Sequence, residues 1–194
     1  QPLCDGSFLN GKSILIHAEQ GFGDTIQFAR YLSLVQILGG KVILECQKEL
    51  MCLLRGFSGI DEFIEYTPAC KPAIPFDVHL SLLSLPRIFG TTLETVPADI
   101  PYIEVDSHLV AKWSKRVGNN NNFKIGIVWA GSPKNINDRN RSCTLADFAI
   151  LGEIPGITFY TLQKGPASSE AANSPERMEI INLEKELKDF VDTA

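Results

Sequence analysis

Apolar and polar positions divide the chain into short, sharply bounded segments. The run Ser13-Ile14-Leu15-Ile16-His17-Ala18 is apolar almost throughout and leads into glycines, the pattern of a buried strand. From Asp24 to Leu38 the period changes. Phe28, Tyr31, Leu32, Val35 and Leu38 recur at helical spacing, and Gly39-Gly40 ends the helix. "KVILEC" (41–46) reads as a second buried strand, residues 48–56 as a helix, and "DEFIEY" (61–66) as a third strand. "FDVHLSL" (76–82) is a fourth, behind a Pro-rich loop. This β-α-β-α-β order requires right-handed crossovers and a parallel sheet with helices on both faces.

The middle of the chain breaks the pattern. Residues 89–103, with Pro97 and Pro101, read as loop, Ser107 to Val117 as a helix, and "GNNNN" (118–122) as a polar break between domains. The alternation then restarts. "FKIGIVWA" (123–130) is a buried strand, "GSPKNINDRNRS" a polar loop, and Thr144 to Leu151 a helix. "ITFYTL" (157–162) and "MEIINL" (178–183) are further strands. The expectation is an α/β protein of two Rossmann-like lobes. Residues 1–106 form the first, 107–122 a linker helix and Asn-rich break, and 123–194 a second lobe too short to be complete. With no initiator Met and an end at "KDFVDTA", both termini are expected to continue into a longer protein.

Composition narrows the partners. A net charge of −5 among 194 residues gives no electrostatic reason to expect nucleic acid or an anionic membrane. No apolar run approaches the roughly 20 residues that span a bilayer, and the first residues lack the pattern of a signal peptide. Cys4, Cys46, Cys52, Cys70 and Cys143 are odd in number and contain no C-x-x-C pair. They read as small buried thiols in a reducing compartment, the cytoplasm, rather than as disulfides or a zinc site.

Two strand–helix loops hold the candidate chemistry. In "HAEQGFGDTIQF" (17–28), Gly21-x-Gly23 after a strand is the context of a dinucleotide site, and Glu45 closes the next strand where a ribose-binding carboxylate belongs. Against this, Ile26 stands where the third glycine should be, and Asp24 would repel a pyrophosphate at the helix N-terminus. Asp24-Thr25-Ile26-Gln27 fits a capping box with Asp24 as N-cap and Gln27 at N3. Asp24 also suits a base, being a carboxylate at the C-terminal end of a strand, kept ionised by the helix dipole. Spacing does not choose between the two.

The second loop gathers Ser132, Lys134, Arg139 and Arg141 in an otherwise acidic chain, and guanidinium groups bind phosphate oxygens in a bidentate fork. Its alternative is a solvated basic loop with Asp138 as internal partner. Gln163-Lys164-Gly165 closes the following strand on the same edge. Of the histidines, His17 borders the first loop, His79 reads as a core residue and His108 as a surface one. No metal-ligand spacing emerges, and neither Cys46 nor Cys143 has an evident His partner for acyl transfer.

"GKSILIHAEQGFGDTIQFARYL", "HLSLLSLPRIFGTTLETVP", "IGIVWAGSPKNINDRNRS" and "FYTLQKGP" together resemble the glycosyltransferase module found downstream of tetratricopeptide repeats in bacterial proteins. That module is similar to the ADP-heptose lipopolysaccharide heptosyltransferases of glycosyltransferase family 9. The resemblance implies a GT-B architecture, with the acceptor on the N-terminal lobe and a nucleotide-diphosphate sugar on the C-terminal lobe. It implies that Asp24, in Gly23-Asp24, is the catalytic base. Gly21, Gly23, His17 and Gln27 join it as the expected acceptor loop, the glycines leaving room for a close approach and His17 bordering the crevice. Arg141 matches the family's donor-phosphate contact, with Thr144 standing where the family has Pro. Lys134 and Arg139 join it on charge grounds, and Ser132 and Lys164 complete the donor side. The reaction implied is an inverting, metal-independent transfer to a glycan, lipid-linked saccharide or protein, with no further cofactor and with tetratricopeptide repeats upstream. The family's donor site also uses a later "DTA…HLAGA" block that this chain does not contain. The segment alone is therefore expected to be inactive, and an inactive scaffolding module beside repeats is the rival reading.

Overall fold

The structure is a computed structural model that describes every residue except 69–71, 73 and 119. Cys70 and part of the 118–122 break therefore lie outside the described residues. The chain divides into two compact units, Gln1–Asp106 and Ser107–Ala194.

In the first unit, β1 (Ser13–His17), β2 (Lys41–Cys46), β3 (Glu62–Glu65) and β4 (Val78–Ser81) form a parallel sheet in the order β3-β2-β1-β4. Ile14, Leu15 and Ile16 of β1 and Val42, Ile43 and Leu44 of β2 are all buried, as strands covered on both faces must be. Chain order runs outward from β1 through β2 to β3, then returns to place β4 on β1's other side. The reversal opens a crevice at the C-terminal ends of β1 and β4, where open α/β sheets bind ligands. Residues 2–4, which carry no strand signal, lie along β4's outer edge. His79 N–H donates to Pro2 O at 3.1 Å, and Cys4 N–H donates to His79 O at 2.9 Å.

The helix expected over 24–38 is two helices, α1 (Phe22–Ala29) and α2 (Leu32–Ile37). Arg30 explains the break. Its Nε donates to Gln27 O at 2.9 Å, occupying the carbonyl that a continuing helix would offer to residue 31, and the Tyr31 amide turns to Phe28 O at 3.0 Å. The same guanidinium reaches Pro97 O at 3.0 Å and lies 4.6 Å from the centre of the Tyr102 ring. Tyr102 O–H in turn donates to Ile26 O at 3.0 Å, so the 97–102 loop is fastened to the end of α1. Gly39, at φ +76°, then closes α2 as its left-handed cap. α3 (Lys48–Leu54) lies where the pattern put a helix. The pattern gave no sign of the helical stretch after β4, a 3-10 turn at Leu82–Ser84 running into α4 (Leu85–Ile88).

The second unit opens with α5 (Ser107–Val117). β5 (Phe123–Ile127), β6 (Ile157–Thr161) and β7 (Ile180–Asn182) are parallel, in the order β5-β6-β7. Ile127, Trp129, Leu145, Phe159 and Met178 form one core cluster. Tyr160, Leu183 and Leu187 form another, beside Trp113 and Val117 of α5. The helix expected from Thr144 is a 3-10 helix over Leu145–Glu153 with Thr144 as N-cap. Its start is fixed from outside, since Leu145 N–H donates to Glu170 Oε2 at 2.9 Å. Near its end, Gly152 lies so close to the Arg177 carbonyl that an added Cβ would be 3.1 Å from its oxygen. A second 3-10 helix covers Pro166–Asn173, and the chain ends in α6 (Phe190–Thr193).

The thiols correct one expectation. Cys4 and Cys46 are buried, but Cys52 and Cys143 are exposed. The Cys46 thiol is pushed up to about 12 by burial, with Glu45 adding to the effect, so it is no nucleophile at neutral pH. Among the described residues no helix is long and apolar enough to cross a membrane.

Candidate functional site

The loop after β1 is built from three sides. Ala18 N–H extends the ladder to Glu45 O at 2.9 Å. Gln47, at the N-cap of α3, pins the residues beyond Ala18. Its Nε2 donates to Gln20 O at 2.7 Å, and its Oε1 accepts from Thr25 Oγ1 at 3.0 Å. Thr25 is 1% exposed, so that amide is the anchor of the loop's far end. No sequence pattern singled out Gln47. The available signal was its place at the end of β2, beside the strand end that carries the loop.

Asp24 does not hold the N-cap position expected for it. Gly21 is the N-cap, in extended backbone, and α1 starts at Phe22. Asp24 is therefore N3, and its Oδ2 accepts from Gly21 N–H at 3.1 Å. This is the return half of a capping box, which a glycine can support because only its backbone is involved. Oδ1 of Asp24 makes no hydrogen bond among the described residues, so one oxygen fixes the carboxylate while the other is available to a ligand. Gly21 and Gly23 are exposed beside it, Gln27 is exposed one turn further on, and Asp24 is half-buried.

His17 and Gln27, grouped by the sequence, open onto different clefts. His17 borders a cleft of ≈ 620 Å³ at the β1/β4 crevice, with Asp5, His79, Ser81, Ser84 and Arg87 among its walls. Gln27 borders a smaller cleft of ≈ 340 Å³ together with Phe28, Arg30 and Tyr31. His79 is half-exposed rather than a core residue, and its ring centre is 5.8 Å from that of His17. Ser81 Oγ donates to Glu19, tying the end of β4 to the loop after β1. Glu45, paired in register with His17, has its carboxyl raised above the ordinary range by burial, an effect His17 partly offsets.

In the second unit Gly131, Asp138, Arg141 and Ser142 form one knot. Gly131 N–H donates to Ser142 Oγ at 2.9 Å, Ser142 Oγ donates to Asp138 Oδ1 at 2.9 Å, and Arg141 Nε lies 3.5 Å from the same oxygen. The Arg141 guanidinium lies across Gly131, where any Cβ would collide with it. Arg141 thus has the acidic partner that the sequence offered as an alternative, and its side chain is still 48% exposed. Lys134 and Arg139 are exposed and make no side-chain hydrogen bond or ion pair among the described residues. Ser132 Oγ accepts weakly from Lys134 N–H at 3.4 Å. Lys164 is drawn elsewhere, its Nζ donating to Glu184 O at 2.8 Å and Leu187 O at 2.7 Å. The following helix N-terminus is occupied as well: Thr144 N–H is held by Asp147 and Leu145 N–H by Glu170.

Gln163, 3% exposed, is the residue of this half that the sequence undervalued. Its Oε1 accepts from Trp129 N–H at 3.0 Å and Ala130 N–H at 2.9 Å, and its Nε2 donates to Ala130 O and Lys164 O. It therefore fastens the ends of β5 and β6 together, directly below the basic loop. Among the described residues no three His, Cys, Asp or Glu side chains gather as a metal site.

No family model matches the chain. It is 25% identical over 207 residues to the protein FlbA of Caulobacter vibrioides, a match covering 95% of this chain and 35% of FlbA. The chain thus spans about a third of the length of the curated relative it matches. Among solved structures it is similar to the glycosyl transferase family 9 protein of Veillonella parvula, with a TM-score of 0.58 at 11% identity over 88% of this chain and 70% of that one. At that identity the likeness speaks for the fold alone: a mixed α/β fold on parallel sheets, like that of a family 9 glycosyltransferase.

Proposed function

We propose that the chain is the core of a GT-B glycosyltransferase module. It would move a sugar from a nucleotide-diphosphate sugar to a hydroxyl acceptor by inverting, metal-independent displacement. The observation that carries this reading is the half-engaged carboxylate of Asp24 in the first turn of α1, just after the loop that leaves β1, in a fold like that of a family 9 glycosyltransferase. Asp24 takes the proton from the acceptor hydroxyl as it attacks the anomeric carbon. Arg141, joined by Arg139, Lys134 and Ser132, neutralises the diphosphate as it leaves. On this reading the first unit receives the acceptor and the second the donor. Further chain beyond Ala194 completes the donor lobe, and tetratricopeptide repeats stand upstream in a cytoplasmic protein.

The test is release of nucleoside diphosphate by the full-length protein across a panel of nucleotide sugars, with and without acceptor. Asp24→Asn keeps an oxygen for the Gly21 amide, so folding should survive, while turnover should fall by about 10²- to 10⁴-fold. Addition of EDTA should leave the wild-type rate unchanged. Wild-type turnover by Asp24→Asn would remove the base from the mechanism. The second reading is a catalytically inactive scaffolding module. It is favoured by the second unit's own bonds, because Asp147, Glu170 and the Glu184 and Leu187 carbonyls occupy donors that a diphosphate would use. Absence of turnover with every sugar in a protein that still folds would favour it.

A further inference from the structure

We propose that the β1/β4 crevice is a binding site for an anionic oxyacid group, a carboxylate or phosphate, carried by a hydroxylated ligand, with Arg87, His17 and His79 as its donors. Resting on the glycosyltransferase reading, this makes the crevice the anchor of the acceptor, and the acceptor acidic.

The register brings the donors together. His79 pairs with Leu15 and Ser81 with His17, so the two imidazoles and the Ser81 hydroxyl stand on one face of the sheet. The backbone of His79 is held on its outer side by Pro2 and Cys4. Neither imidazole makes a hydrogen bond among the described residues, although both border the same cleft. Arg87 enters from the last turn of α4. It is exposed, and its guanidinium has no hydrogen bond or ion pair among the described residues. A free guanidinium lining the same cleft as two imidazoles offers a planar, bidentate fork to an oxyacid.

The acidic groups around the crevice are partly committed. Asp5 Oδ1 accepts from Ser7 N–H at 3.0 Å and Ser7 Oγ at 2.6 Å, and Glu19 accepts from Ser81. Glu45 stands one strand away from the crevice, beside His17. Asp5 Oδ2 and the Ser84 hydroxyl make no hydrogen bond among the described residues, which suits a ligand bearing hydroxyls next to its acid. At ≈ 620 Å³ the cleft lies within the roughly 300–1,000 Å³ of small-molecule sites. Leu3, Leu80 and Ile88 give it apolar walls for the face of a ring.

The chain has only three histidines, so their imidazole C–H signals in proton NMR report on the crevice directly, and His108 on α5 is an internal control. The whole chain is titrated at fixed pH and ionic strength with glucuronate, glucose 6-phosphate and glucose. Saturable shifts of His17 and His79 with at least one of the acids, still His108 and no response to glucose are expected. Which acid saturates first distinguishes carboxylate from phosphate. Arg87→Met should weaken that binding by at least about tenfold. Unsaturable shifts, an equal response to glucose, or unchanged affinity in Arg87→Met would overturn the site. Neither donor nor turnover enters this measurement. A crevice that binds acids in a protein whose Asp24→Asn variant transfers normally would keep the site and remove the base, and the reverse result would do the opposite.

Discussion

The amide of Gln47 reaches from the start of α3 to both sides of Asp24, at Gln20 O in the loop after β1 and Thr25 Oγ1 in α1. Gln47→Leu leaves the Gln20 carbonyl without that donor and leaves the buried Thr25 hydroxyl with only its longer bond to Gly21 O at 3.3 Å. The Gln20 bond is exposed and the Thr25 bond partly buried, and losing the two costs about 1–3 kcal/mol. A urea denaturation series should show that loss as a lower midpoint at unchanged slope, and amide exchange at residues 20–25 should accelerate more than in β2. Equal exchange in both variants would mean that Gln47 does not position the loop. At this scale the sequence was readable where a residue type carries its own geometry, as Gly21-x-Gly23-Asp24 does. It was misleading where the choice lay in the backbone. Asp24 is as good a residue at N3 as at N-cap, and the extended Gly21, with no side chain to announce it, decides which. Gln47 was illegible, and Gln163 undervalued, for a related reason. A polar side chain at a strand end acquires its role from what the fold brings opposite, and their partners lie on other elements. Arg87 was missed together with the short helix that carries it.

Among the elements, the central strands β1 and β2 were legible because burial on both faces writes a continuous apolar run. The break between α1 and α2 was not, since Phe28, Tyr31, Leu32 and Val35 keep their periodicity across it and the cause is the Arg30 side chain. The segment "LLSLPRI" was missed because Pro86 argues against a helix interior but is welcome in a first turn, where the pattern could not place it. In the second unit the closing helix α6 depends on a carboxylate. Asp192 accepts from Lys112 Nζ and Trp113 Nε1, each at 3.0 Å, and from Lys188 N–H at 3.0 Å, with its side chain 7% exposed. Burial opposes its charge, but these donors together outweigh it and hold the carboxyl below its ordinary 3.8. The stabilisation is therefore fully present above 3.8 and is lost as pH falls through the lower folded value. Thermal unfolding followed by tryptophan fluorescence should show a falling midpoint as the medium is acidified below 3.8. Asp192→Asn should lower the midpoint at neutral pH, by the equivalent of about 1–3 kcal/mol, and flatten the acid dependence. An Asn variant as acid-sensitive as wild type would assign that sensitivity to other carboxylates.

For the molecule as a whole, the two α/β units bring different chemistry to one proposed reaction, and that division can be read kinetically. The first unit offers Asp24 and a crevice with Arg87 and two imidazoles, and the second offers Arg141 on a basic loop beneath which Gln163 locks the strand ends. A group that acts only on the proton of the attacking hydroxyl should change the chemical step and leave donor affinity alone. A guanidinium that meets the diphosphate in both ground and transition states should change donor affinity as well as the rate. In the full-length protein, Asp24→Asn is therefore expected to lower kcat with the donor Kd, measured by calorimetry with the nucleoside diphosphate, unchanged within about twofold. Arg141→Ala should weaken that Kd by roughly tenfold or more, the scale of one lost charge-assisted hydrogen bond. Gly131→Ala should weaken it less, because a Cβ there only displaces the end of the same flexible guanidinium and leaves its charge in place. If Asp24→Asn instead weakened the diphosphate and Arg141→Ala did not, the donor would belong to the first unit. The glycine-rich loop after β1 would then be the phosphate cradle that its Gly21-x-Gly23 spacing first suggested.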